Sequence, residues 1–173
     1  MILNKDEVTN FLPHREPFLF ADEIEQVIIP DGVVRPEGRL LTPKEILGSK
    51  VIGYFRVREN LEVLKGHFPG QPIFPGVLQI EMTAQISAFL ALAIIPKDEY
   101  KKYSIDTKLV SVDRARFRKE ALPPERLRVE SILVKSRGCF NQYETKAFNE
   151  KNELISECAF MASVEIIEKN PNS

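Results

Sequence analysis

Cysteine and histidine are scarce in this chain, with two of each, and tryptophan is absent. Cys139 and Cys158 are too few and too far apart for a disulfide framework or a zinc site, so both read as core or near-core thiols of a protein kept in a reducing cytoplasm. An excess of charge of one sign is also missing: 24 basic residues against 25 acidic ones leave a formal net charge of −1. Such a surface has no global field to draw in nucleic acid, and zinc-finger spacings and arginine-rich arms are absent as well. Internal repeats and low-complexity segments are not found. The N-terminal stretch MILNKDEVTNFLP places Lys5, Asp6 and Glu7 where a secretory signal needs unbroken apolar residues, so a folded start is expected.

What is present suits one packed domain over residues 1–173. The composition is 43% apolar and 28% charged, and a chain of this length buries about 70% of its unfolded surface. Asn4 followed by Glu7 fits the start of a short surface helix that Leu12-Pro13 would end. Mixed aromatic and β-branched runs predict strands over 18–29, 50–58, 107–118, 126–136, 141–149 and 153–167. The last four are separated by turn-rich junctions, which predicts an antiparallel meander. Gly53 marks a bulge or a close backbone approach. Residues 33–48 read as a short strand or hairpin arm followed by a helical turn at Thr42-Pro43-Lys44-Glu45.

The run VLQIEMTAQISAFLALAII, 77–95, sets Gln79, Glu81, Thr83, Gln85 and Ser87 at every second position, which is a strand period. Length decides otherwise. Nineteen residues with four alanines, Gly76 before and Pro96 after, predict a helix about 28 Å long. It is apolar almost all round, and its carboxylate and glutamines place it inside protein rather than across a membrane. One long buried helix and a set of antiparallel strands predict an α+β fold in which the sheet wraps around the helix.

Residues 66–85, GHFPGQPIFPGVLQIEMTAQ, carry the chemistry. His67 stands in a turn preset by proline and freed by glycine, so its ring can be aimed with little loss of order on binding. Phe74-Pro75-Gly76 leads into a helix N-terminus, where unpaired N–H groups at Gly76 and Val77 can receive a developing oxyanion. Glu81 follows one to two turns later. Together they suit elimination of water next to a thioester: His67 takes the α-proton, the N–H groups hold the enolate-like oxygen and Glu81 protonates the departing β-hydroxyl. A lone loop histidine is more often structural, and a buried helical glutamate often serves only neighbouring backbone groups. Their grouping in one loop and helix favours chemistry. His14, in LPHREP, reads as structural, because nothing near it in the chain supplies both a carboxylate and an oxyanion donor.

LPHREPFLFAD (12–22), the 66–85 motif and SVDRARFRKEALP (111–123), in that order, resemble the β-hydroxyacyl-acyl-carrier-protein dehydratases of FabZ type, which have the hotdog fold. The resemblance implies that His67 is the catalytic histidine, Glu81 the catalytic carboxylate and the Gly76 N–H the group that polarises the thioester carbonyl. Neither metal nor cofactor is implied. It further implies a homodimer, with a trimer of dimers as a higher assembly, whose sites take the histidine from one chain and the acid from the central helix of the other. The acyl chain would lie in an interface tunnel, for which Phe68, Pro75, Val77, Ile80, Ala84, Gln85 and Phe89 are candidates. Glu81 favours plain dehydration, since the related dehydratase/isomerases carry aspartate there.

The partner so implied is acidic acyl carrier protein with its phosphopantetheine-linked chain. Arg114, Arg116, Arg118 and Lys119, at or near alternate positions of one strand, would form a basic docking rim, although the same spacing describes an ordinary solvated strand face. The chain departs from the family pattern at Glu16, at Glu62-Val63-Leu64-Lys65, at Pro124-Glu125 and in residues 30–48, which resemble an insertion. Two other functions suit the same fold: a hotdog thioesterase or coenzyme A-dependent hydratase, and a non-catalytic acyl-binding or structural subunit.

Overall fold

Asn4 opens the first helix, α1 (Lys5–Phe11), in a computed structural model that describes residues 3–169. Its side chain accepts from the Glu7 N–H, while the Glu7 carboxylate accepts from the Asn4 N–H, so the reciprocal cap forms with an amide in place of a hydroxyl. Leu12 leaves the helix in an extended conformation ahead of Pro13. The buried face, Val8 and Phe11, turns inward, and the Phe11 ring stacks on Phe89 with centroids 5.4 Å apart.

The first strand, β1 (Glu23–Ile28), is shorter than the predicted run from residue 18. The backbone ahead of it is committed elsewhere: the Phe20 N–H donates to the Gln85 carboxamide at 2.7 Å, and the Phe18 carbonyl accepts from the same group at 3.0 Å. Pairing with β2 (Lys50–Val57) begins at the Asp22 N–H, which donates to the Tyr54 carbonyl. The remaining strands are β3 (Tyr103–Phe117), β4 (Glu125–Arg137), β5 (Phe140–Phe148) and β6 (Leu154–Glu168). All six join one sheet in the order β1-β2-β4-β5-β6-β3, every neighbouring pair antiparallel. The predicted meander therefore holds only for β4 to β6. Instead of pairing with β4, β3 takes the far edge beside β6.

One face of the sheet is covered by a helical run of 19 residues, Gly76–Ile94. It comprises α2 (Gly76–Ala88) and a last turn, α3 (Ala91–Ile94), joined by a tightened step in which the Phe89 and Leu90 N–H groups donate to Ile86 and Ser87 carbonyls. This run is long and apolar enough to cross a membrane by length and composition, yet 72% of its most apolar window is buried inside the protein. It is the core helix. The strand-like polar alternation becomes a buried polar seam: the Ser87 hydroxyl lies 2.6 Å from both the Thr83 carbonyl and Ser131 Oγ on β4. Gly53 on β2 permits the close approach anticipated from sequence, since a Cβ there would meet Ile24 and Ile86 side-chain carbons at 2.9 Å.

Residues 33–48 contain no strand and only turns. Glu45 ties the segment to itself, accepting two bonds from the Arg39 guanidinium at 2.8 and 2.9 Å and one from the Thr42 N–H at 2.7 Å. Those bonds, the Arg39 guanidinium foremost, hold its carboxyl down at about 2. Arg35 ties the segment to the core helix, donating to the Ala93 and Ile94 carbonyls at 2.8 and 2.9 Å. Leu41 and Ile46 are buried beneath it.

Candidate functional site

His67 belongs to a closed loop. The Ile73 N–H donates to the His67 carbonyl at 2.9 Å, and the Ile73 carbonyl lies 2.9 Å from His67 Nδ1. A carbonyl can only accept, so Nδ1 carries a proton, and in the neutral ring the lone pair is on Nε2. The Phe68 ring stacks on the imidazole, centroids 4.2 Å apart, and is 54% exposed. Phe74 anchors the loop from below: its N–H donates to the Ala121 carbonyl at 2.8 Å, and its ring packs 5.5 Å from Phe55 and 5.7 Å from Phe20. A fully buried aromatic ring of this kind contributes about 1.5–3 kcal/mol, enough to hold a short loop in place.

The chain passes from that anchor through Pro75 into α2. The Pro75 carbonyl accepts from the Leu78 and Gln79 N–H groups, both at 3.0 Å, while the Gly76 and Val77 N–H groups have no acceptor among the described residues. A cleft of about 370 Å3 opens here, lined by His67, Phe74, Gly76, Gln79 and Phe117. His67 and Gly76, with its unpaired N–H, thus share one opening.

Glu81 lies about 7.5 Å further along the helix axis and does not line that cleft. Its Oε1 accepts from Gln85 Nε2 at 2.8 Å and lies 3.3 Å from His14 Nε2. Gln85 cannot follow a moving carboxylate, because its carboxamide is also bonded to the Phe18 carbonyl and the Phe20 N–H. Arg15 stiffens the histidine's loop by donating to the Leu12 and His14 carbonyls, both at 2.8 Å. Burial pushes the Glu81 carboxyl up, but the contacts with His14 and Gln85 outweigh it and hold the group below the usual carboxylate value. The carboxylate whose absence from the sequence neighbourhood makes His14 read as structural is brought to it by the fold.

The other anticipated contact residues divide. Ile80 and Ala84 are half-buried beside Glu81, and Val77 is 72% exposed at the helix start. Pro75 is buried under the cleft, Gln85 is engaged as described, and Phe89 is packed in the core against Phe11. Along the anticipated basic rim, Arg116 and Arg118 both reach Glu157, at 3.7 and 2.6 Å, and Lys119 reaches Glu153 at 2.5 Å. Arg114 is exposed on the same strand and has no ion pair among the described residues. Glu16, Glu62 and Val63, three of the departures from the family pattern, line one groove of about 560 Å3 with Phe18 and Leu78.

Two residues of the candidate site were not among those anticipated from sequence. His14 gave no local signal. Gln79 did stand out as a polar position on an apolar helix, and it is 3% exposed beside the cleft, its Nε2 donating to the Phe74 carbonyl at 3.2 Å and its Oε1 without a partner among the described residues.

Comparison with known proteins identifies the family and the fold. The family model described as ApeI-like, ApeI dehydratase, matches residues 44–157. A 3-hydroxyacyl-(acyl-carrier-protein) dehydratase FabZ from Myxococcus xanthus is 36% identical over 159 residues, covering 91% of this chain and 89% of its own. The FabZ of Clostridium perfringens is 35% identical over 137 residues, covering 79% and 81%. Among solved structures, the dehydratase heterocomplex ApeI:P from Xenorhabdus doucetiae superposes with a TM-score of 0.63 at 16% identity, covering 95% of this chain and 92% of that one. A thioesterase superfamily member from Thermus thermophilus gives a TM-score of 0.53 at 18% identity, covering 69% and 82%. These two likenesses establish the hotdog fold. The sequence relationships go further, and the chain belongs to the FabZ and ApeI-like dehydratase family.

Proposed function

We propose that this chain is a cytoplasmic homodimeric lyase that converts (3R)-3-hydroxyacyl thioesters of acyl carrier protein into trans-2-enoyl thioesters and water, in fatty-acid synthesis or a related acyl-chain pathway. The observation that carries the reading is the bond between His67 Nδ1 and the Ile73 carbonyl, which leaves Nε2 as a base beside the unpaired N–H groups of α2. Nε2 removes a C2 proton, and the electron pair moves onto the thioester oxygen, where the Gly76 N–H receives it. The pair then returns to form the C2–C3 double bond as the C3–O bond breaks, and Glu81 supplies the proton with which the hydroxyl leaves as water.

Two features support a site shared between copies. Glu81 is absent from the cleft that holds His67, and Ile80 and Ala84 beside it on α2 are only half-buried. In addition, β3 has a neighbour on one side only and exposes Leu109, Val110 and Val112. A long apolar edge of this kind is a pairing surface, which a second β3 would continue. Arg118 and Lys119 border the cleft, which supports an approach by an acidic carrier protein that would compete with Glu157 and Glu153 for them.

The test is incubation of wild-type, His67→Ala and Glu81→Gln proteins with 3-hydroxyacyl carrier-protein thioesters of several lengths, following enoyl formation and free thiol together. Enoyl product that falls by about 10²- to 10⁴-fold in both variants is expected. Release of free thiol by the wild type would point to a thioesterase instead, and binding without product to an acyl-binding subunit.

A further inference from the structure

We propose that His14 is a positioning residue that pairs with Glu81 and stores the proton this carboxylate delivers. The inference rests on the dehydratase reading of the site.

An acid must hold a proton at the moment the hydroxyl leaves, yet the surroundings of Glu81 favour its anion: Gln85 donates to Oε1 at 2.8 Å and His14 stands 3.3 Å from the same atom. Gln85 has no proton to give. His14 does, and it is the titratable side chain in contact with Glu81 among the described residues. A carboxylate and an imidazole in contact titrate as a unit, so the pair keeps one mobile proton to higher pH than a carboxyl would alone. Both partners are largely buried, with side-chain exposures of 20% and 19%, which limits screening of the contact by water.

The two histidines of the chain are held in opposite ways. His67 is clamped through Nδ1 by a carbonyl, which fixes it as a base. His14 Nδ1 is buried and has no partner among the described residues, so the ring's polar contact is the one with Glu81. Other charges close to the loop are matched among themselves. The Arg15 guanidinium is turned onto the Leu12 and His14 carbonyls. On α1, Lys5 pairs with Glu16 at 2.6 Å and lies 3.7 Å from Asp22, which also pairs with Arg58 just beyond β2.

The proton sequence balances. The His14 Nε2–H bond breaks as its proton passes to the Glu81 carboxylate, and a Glu81 proton passes to the C3 hydroxyl as the C3–O bond breaks and water departs. His14 is left neutral and Glu81 anionic, while His67 holds the proton taken from C2. Loss of that proton to solvent and uptake of another by His14 restore the starting state.

The experiment compares wild type, His14→Gln and His14→Leu in two ways. In the first, kcat and KM for enoyl formation are measured across pH; glutamine keeps a donor near Glu81 but stores no proton. We expect KM within twofold of wild type, kcat near neutrality lower by about tenfold or more in both variants, and the high-pH limb of kcat displaced downward by at least one pH unit in His14→Gln. In the second, the Glu81 side-chain carboxyl is followed by carbon NMR titration, which needs no turnover. Wild type should show two steps and His14→Gln one, at higher pH than the first wild-type step. A single step in the wild type, or a kcat profile unchanged by His14→Gln, overturns the proposal, and the wild-type titration decides it even if neither variant folds. Two titration steps in a wild type that forms no enoyl product would instead reject the dehydratase reading and leave the coupled pair standing.

Discussion

No atom larger than hydrogen fits between the Gly76 α-carbon and the ring of Phe117, because a Cβ built at Gly76 would lie 2.8 Å from that ring. The contact joins the start of α2 to the end of β3 at the mouth of the His67 cleft. Gly76→Ala must therefore push either the ring or the helix start aside. Enoyl formation should fall by about 10²-fold, the scale of losing one oxyanion donor, with little change in melting temperature because the ring is half exposed. Adding Phe117→Ala should return part of the lost rate, and a double variant no faster than Gly76→Ala would show that the contact does not set the position of the N–H.

A similar contact inside the fold should cost stability instead of rate. A Cβ at Gly53 meets Ile24 and Ile86 at 2.9 Å and the Glu23 carbonyl at 3.0 Å, and none of these is a flexible side-chain end in open space. Gly53→Ala should lower unfolding free energy by about 1–3 kcal/mol. Urea denaturation would read this as a lower midpoint with an unchanged slope.

Acid should loosen residues 33–48 in a defined range. The Glu45 carboxyl is depressed from an ordinary 4.5 to about 2, chiefly by the Arg39 guanidinium. A depressed carboxyl stabilises the folded state above its unfolded value, and that contribution disappears as pH falls from about 4.5 through about 2. Carboxyl titration by NMR should find Glu45 low in wild type and returned towards its ordinary value in Arg39→Ala.

The proposed dimer should fail to assemble if the β3 edge is charged. Val110 is 50% exposed on that edge, and Val110→Lys should shift sedimentation from dimer to monomer at micromolar concentration, with loss of enoyl formation. A variant that stays dimeric and active would place the subunit contact elsewhere.

The parts of the fold legible in the sequence were those set by local chemistry. Gly76 and Pro96 punctuate the core helix, and its length overrules the strand-like spacing of Gln79, Glu81 and Thr83. The amide of Asn4 and the carboxylate of Glu7 cap α1 where their spacing says they should. Failures came where distant groups claim the backbone. Gln85 takes the Phe18 and Phe20 backbone groups, which delays β1, and the pairing of β3 with β6 has no signature in either strand alone. Residues 33–48 looked partly strand-like because the carbonyls that anchor them belong to a helix end some sixty residues away.

The candidate site divides along the same line. His67 and the open N–H groups lie in one stretch of chain, so their association could be read directly. His14 and Glu81 meet only through the packing of the 12–22 loop on α2. Glu157 and Glu153 likewise face the Arg116–Lys119 stretch from the neighbouring strand and its preceding turn, so a row of cations that seems unbalanced in sequence is largely matched in space.

Arg35 gives the Ala93 and Ile94 carbonyls the partners that water would otherwise supply. The core helical run is therefore electrically lopsided: its negative pole is closed by a fixed cation, while its positive pole stays open at Gly76 and Val77. In the proposed reaction, a thioester oxygen gathering negative charge would meet that open pole, while the Ala93 and Ile94 carbonyls at the far side are already engaged. The segment that reads as an insertion thus closes the far pole of the helix and leaves its field to the end where the proposed reaction would make and break bonds.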